Sequence, residues 1–229
     1  MTKYEKIIIG ITGSSHSLVH ALMLTFPSLI PIVQKEFNVG LDTLGFVVSI
    51  SALLFGLGAI PAGWLDRYLG GKKLMIIYQL GSSIAALVVA LSSSFYMMVI
   101  GLSFIGLFCS IYHPTGLTLV SQNINKVSKG MAVHGMFGSL GSAFGPLLAV
   151  SLATLISWRA SYLVLAIWPL DRAFKLLVSS GILGKIMVIN SWLICIASFL
   201  ESTGCELLNS PLRKPGLKPV PAFLSVKGF

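Results

Sequence analysis

The stretch that decides the reading is LGFVVSISALLFGLGAIPAGWL, residues 44–65, followed at once by DRYLGGKK, residues 66–73. The first segment carries no charge, and crossing the hydrocarbon core of a bilayer takes about 20 predominantly apolar residues. The second puts Asp66, Arg67, Lys72 and Lys73 into eight positions, which marks the point where the chain leaves an apolar phase. No water reaches the backbone inside lipid, so only a helix or a closed barrel can cross. A barrel strand would alternate polar and apolar residues over about ten positions. Residues 44–65 are apolar throughout and predict a transmembrane helix.

Working outward, the same pattern recurs. Spans are expected at residues 7–33, 74–91, 95–120, 131–156 and 158–170, the last too short unless it continues across Asp171 and Arg172. A further apolar stretch, 176–200, is interrupted by Lys185 and Asn190, and a Pro- and Lys-containing tail follows from Glu201. The chain is 55% hydrophobic and 10% charged, with a mean hydropathy of +0.90. Soluble domains are about 25% charged, so a soluble enzyme is excluded. The fold class is all-α and integral to the membrane.

A formal net charge of +9 raises nucleic acid as a partner. The cations sit instead in short connections and in the tail, where they set topology. With the N-terminus cytoplasmic, Lys3, Lys6, Arg67, Lys72, Lys73, Lys126 and Lys129 share that side, against Lys35 and Arg159 on the other. This bias predicts a cytoplasmic N-terminus, a lipid-bilayer setting and no nucleic-acid partner. Lys3 and Lys6 precede an apolar run as in a signal peptide, but the run is long, holds two His and lacks a small-residue cleavage site. It reads as the first span. Cys109, Cys195 and Cys205 have no metal or redox spacing.

Polar groups inside spans are costly, so they face the bundle interior. His16 and His20 are four apart and share a helical face, while His113 and His134 both fall in the half of the membrane nearer the N-terminus. Imidazole titrates near neutrality, so these four His are candidates for a proton or solute pathway; hydrogen bonding between helices is the other reading. A zinc site needs three or four ligands, no span interior carries Asp or Glu, and no metal or cofactor is expected. For Tyr78, Gln79, Ser82, Ser83 and Tyr112, inter-helix hydrogen bonding is the favoured role. No phosphate-binding loop and no hydrolase constellation is present, so the chain is not read as an enzyme. The second and fifth spans share a Gly/Pro-rich character: Gly56, Gly58, Pro61 and Gly63 in one, and Gly135, Gly138, Gly141, Gly145 and Pro146 in the other. Matched interruptions hint at two related three-helix units. In the fifth span Pro146 removes a backbone donor and Gly141 and Gly145 permit close packing, which reads as a helix hinge or a seal, or equally as simple helix packing.

Residues 63–73, GWLDRYLGGKK, resemble the loop between helices two and three of the major facilitator superfamily, in which Gly, Asp-Arg, Gly and two basic residues follow in order. Here Gly63 and Asp66 are one residue closer, and one extra residue separates Arg67 from Gly70. GSAFGP, residues 141–146, is similar to the Gly-Pro element of many of the family's exporters. YHPTG, residues 112–116, with His134-Gly135 and the His-bearing first span, looks like the fosmidomycin-resistance-type branch. The resemblance covers about residues 5–168. It implies a six-helix half of a major facilitator bundle and a secondary active transporter of a small organic solute or drug, proton-coupled, in the plasma (inner) membrane. It assigns gating to the loop residues Gly63, Asp66, Arg67, Gly70, Lys72 and Lys73, and marks Tyr112 with the four His as pathway candidates. The expected organisation is a transporter half over 1–170, an additional hydrophobic segment over 171–200 and a disordered basic tail over 201–229. Family features fade near Ile167-Trp168, which reads as a truncated or frameshifted half, inactive as a monomer unless two copies form a homodimer. The alternative is a membrane scaffold or accessory subunit that keeps the fold without transport.

Overall fold

A capping box starts the first helix. The Thr2 hydroxyl accepts from the Glu5 N–H at 3.2 Å, and the Glu5 carboxylate accepts from the Thr2 N–H at 2.8 Å, satisfying two end donors reciprocally. From there a computed structural model describes residues 1–179 as seven helices: α1 (Lys3–Phe37), α2 (Leu41–Leu69), α3 (Gly71–Ala90), α4 (Phe95–Ser110), α5 (Tyr112–Asn123), α6 (Val127–Leu155) and α7 (Trp158–Ser179). No strand occurs among the described residues. Five segments are long and apolar enough to cross a membrane, counting α4 and α5 as one. The expectations at 180–200 and 201–229 lie outside the described residues.

The helices outrun the apolar windows. α1 begins at Lys3 and ends at Phe37, past Lys35, because the i→i−4 ladder continues wherever the backbone can pair. Long cationic side chains tolerate this by reaching toward the polar interface. The sixth span does continue across Asp171 and Arg172, since α7 runs to Ser179; its charges keep it from meeting the apolar criterion of the other five.

Two junctions differ from the sequence reading. The eight-residue basic connection shrinks to Gly70, with Asp66 and Arg67 in the last turn of α2 and Lys72 and Lys73 in the first turn of α3. Gly70 has φ 75° and ψ 152°, a region open essentially to glycine, and its N–H closes α2 on the Asp66 carbonyl at 3.0 Å. The fourth span is not one continuous helix. It breaks at Ile111, whose N–H bonds the Phe108 carbonyl at 3.2 Å. Pro114 has no N–H to give the Ser110 carbonyl, and its ring crowds that turn. The break sets Tyr112 and His113 in the first turn of α5.

Packing pairs α1 with α6, α2 with α4, and α3 with α7. α3 also packs extensively on α4. Small residues make the α1–α6 and α2–α4 crossings. A Cβ on Gly141 would lie 2.5 Å from the Ser17 Cα, one on Gly145 2.5 Å from the Ala21 Cα, and one on Gly106 3.0 Å from the Ser51 carbonyl carbon. α6 passes Pro146 without a break. In their most apolar windows, α3 is 67% buried but α2 and α6 only 17% and 22%, so the unpartnered faces belong to α2 and α6.

Candidate solute site

The polar groups of the bundle converge on the middle of α1. Tyr112, wholly buried, donates its hydroxyl hydrogen bond to the Thr12 carbonyl. Tyr78 donates to the Ser15 carbonyl at 3.1 Å, and the Gln79 amide donates to the Ser15 hydroxyl at 3.1 Å. Ser17 donates to the Phe137 carbonyl at 2.5 Å, and Ser83 reaches the Ala166 carbonyl on α7 at 2.6 Å. These bonds join helices, which is the role expected of Tyr78, Gln79, Ser83 and Tyr112. Ser82 instead bonds Gln79 within its own helix. Each inter-helix bond inside a bilayer contributes about 1 kcal/mol, and those from Tyr78, Gln79, Tyr112 and Ser17 fix the rotation of α1 about its axis.

That rotation presents His16 and His20 on one face. His16 is the hub: its ring centroid lies 4.4 Å from His134 in a stack, 4.9 Å from His20, 5.2 Å from His113 and 5.6 Å from Tyr112. His113 and His134, placed together by depth, are joined through His16, which stands between them. The His16 Nδ1 lies 3.0 Å from the His134 carbonyl oxygen. A carbonyl only accepts, so Nδ1 carries a proton, and in the neutral imidazole Nε2 holds the lone pair. That Nε2 faces the His20 Nε2 at 3.1 Å. Ring nitrogens of His16, His20 and His113 all lie within 4.8 Å of one another. Phe55 of α2 covers His113 edge-on at 5.4 Å. His134 is 2% exposed, and among the described residues neither of its ring nitrogens has a hydrogen-bond partner.

His16 and His20 line a cleft of about 500 Å³ between α1 and α6, shared with Gly135, Gly138, Ser139 and Ser142. A Cβ on Gly138 would lie 2.6 Å from the His16 ring, so this glycine makes room for the imidazole. Sequence reasoning missed Ser139 and Ser142. Their signal was present: residues 135, 138, 139 and 142 form one helical stripe, of which only Gly135 and Gly138 stood out, as members of a Gly/Pro-rich span. Beside it an apolar groove of about 640 Å³ follows α1 and α6, with Phe137, Phe144 and Trp168 in its wall. Gly141 and Gly145 also line this groove, so the expected hinge residues stand at the tightest α1–α6 approach.

The residues expected to gate lie at the end of the bundle that holds the N-terminus. Gly63 faces Pro114 of α5. Asp66 is half-buried, with one carboxylate oxygen unpartnered and no ion pair to Arg67, Lys72 or Lys73 among the described residues. Arg67 and Lys73 are exposed. The same end is tied by the Tyr4 hydroxyl donating to the Asn123 side chain at 2.9 Å and the Asn125 N–H donating to Glu5 at 2.9 Å. At the opposite end Glu36 pairs with Arg159 at 2.7 Å and accepts the Trp158 indole N–H at 2.5 Å, while Arg159 also donates to the Ser92 carbonyl at 2.8 Å. Sequence reasoning had given Arg159 only a topological role.

A sequence profile of the Major Facilitator Superfamily matches residues 13–170. Among curated proteins, the chain is 27% identical over 172 residues to the quinolone resistance protein NorB of Staphylococcus aureus, covering 74% of this chain and 37% of that one. It is 24% identical over 155 residues to the inner membrane transport protein YnfM of Escherichia coli, covering 67% of this chain and again 37% of the relative. The chain therefore spans well under half the length of these relatives. Among solved structures, a POT family transporter in complex with 5-aminolevulinic acid superposes with a TM-score of 0.63 at 13% identity, over 87% of this chain and 48% of that one. A second, in complex with a thioalcohol-conjugated peptide, gives 0.63 at 14% identity. Both similarities concern the fold.

Proposed function

The chain belongs to the Major Facilitator Superfamily, and we propose that it acts as a secondary active transporter of a small organic solute or drug, coupled to protons. One observation carries the reading. The four His of the described helices, which the sequence read only as two separate pairs, gather around His16 beside a cleft between α1 and α6. Intramembrane ionisable groups mark solute or proton pathways, and the adjoining apolar groove suits a largely hydrophobic solute. The name of NorB makes quinolone-type drugs the first panel to try. Tyr112-His113-Pro114, His134-Gly135 and the two His of α1 support placing the chain in the fosmidomycin-resistance-type branch.

The proposed setting is the plasma (inner) membrane with the N-terminus cytoplasmic, as the distribution of Lys and Arg favours. Asp66, Arg67, Lys72 and Lys73 then form a cytoplasmic gate about the Gly70 turn, with the orphan Asp66 oxygen free to take a partner in one of two bundle arrangements. The Gly141 and Gly145 contact with α1, next to Pro146, is the seal that must slide. A homodimer joined through the open faces of α2 and α6 would enclose the cleft from both sides.

The test is uptake into proteoliposomes holding the purified protein, with and without an imposed pH gradient. Solute accumulation that follows the gradient and collapses with a protonophore is the expected result. Folded protein giving no flux for any solute of the panel would overturn transport and favour the scaffold reading.

A further inference from the structure

We infer that His16, His20 and His113 form a binding site for one divalent transition-metal ion of the Zn²⁺ or Co²⁺ kind, a ligand set the sequence did not anticipate. Three observations meet at one point. The ring nitrogens of the three residues already lie within 4.8 Å of one another, two of them on successive turns of α1 and the third at the start of α5, where the helix break places it. The His16 and His20 Nε2 atoms are 3.1 Å apart. Two ligands at 2.0–2.1 Å in a tetrahedral shell stand about 3.3 Å apart, so these nitrogens are within a few tenths of an ångström of a coordination edge. Finally, the His16 Nδ1–H is held by the His134 carbonyl. Metal-binding histidines make this outer hydrogen bond, which fixes the tautomer and aims Nε2 at the metal.

The ligand chemistry selects the ion. Imidazole nitrogen suits Zn²⁺, Co²⁺, Ni²⁺ and Cu²⁺, whereas Mg²⁺ and Ca²⁺ want oxygen donors, and the set contains no carboxylate. An ion bound to neutral ligands keeps its charge, which deep burial would penalise heavily. All three histidines are half-buried, and two line the 500 Å³ cleft, so a fourth position opens to water or to a donor atom of a solute. His134 lies outside this shell, stacked on His16 at 4.4 Å with its carbonyl serving as the outer contact. Binding at equilibrium needs no gradient, so the assignment and the transport reading fail independently.

The test is titration of the purified, metal-stripped full chain with CoCl₂, followed by its ligand-field absorption and by displacement with ZnCl₂. The expected result is one Co²⁺ per chain in a tetrahedral-type spectrum, erased by Zn²⁺. His16→Ala, His20→Ala and His113→Ala should each weaken binding by about 100-fold or more, since losing an outer-shell partner alone costs about 10–100-fold, while Ser49→Ala, on α2 and bonded only to the Gly45 carbonyl, leaves it unchanged. Binding that survives all three His substitutions, or a spectrum dominated by thiolate charge transfer, would overturn the site. Should the variants not fold, X-ray absorption on the Zn²⁺-loaded wild type decides. Imidazole scattering at about 2.0–2.1 Å supports the site, and a sulfur shell at about 2.3 Å contradicts it.

Discussion

Single residues carry the two ends of the bundle differently. At the end away from the N-terminus, Glu36, Trp158, Arg159 and the Ser92 carbonyl clasp α1 to α7 and to the turn after α3, with the guanidinium 4.3 Å over the Trp158 ring. The ion-paired side chains are 30% and 37% exposed, so solvent screening leaves the pair worth about 1 kcal/mol or less. A Glu36→Gln, Arg159→Ala double-mutant cycle on thermal unfolding in detergent should return a coupling of that size. A coupling of several kcal/mol would mean that the pair is sheltered as in a dry interior. The sequence announced the identity of such residues but not their partners. Glu36 and Arg159 are 123 positions apart, and only the return of α7 onto α1 brings them together. The histidines teach the same lesson. Their intramembrane positions could be read from the chain, whereas the hub role of His16 depends on the rotation that Tyr78, Gln79 and Tyr112 impose on α1.

Elements were legible as apolar runs, and their junctions were not. The run at 44–65 grows into a helix of 29 residues, because hydropathy stops at the first charge while backbone pairing continues. The basic connection after it looked like a loop since it is rich in charge and glycine, yet one residue makes the turn. Gly70 holds φ 75°, where a side chain costs about 2 kcal/mol. Gly70→Ala should therefore lower the stability of the folded protein by about that amount, read as a fall in the unfolding midpoint. An unchanged midpoint would mean that the α2–α3 junction relaxes to another path. Pro114 was visible in the sequence as part of a motif, but its effect one turn upstream at Ile111 was missed. That break orients His113 toward α1, so it bears directly on the site.

On the scale of the molecule, the Gly- and Pro-rich spans are the open ones. α2 and α6 cross α4 and α1 through close small-residue contacts and leave their other faces open. The cleft that His16 and His20 line lies between α1 and α6. The claim that this cleft is the working part of a transporter is the one most worth testing. Gradient-driven flux in proteoliposomes should be compared for wild type, His16→Gln, His20→Gln and the remote Ser49→Ala. Either His variant is expected to lose about tenfold or more of the pH-driven flux while folding normally, and Ser49→Ala to behave as wild type. Undiminished flux in both His variants would contradict that claim.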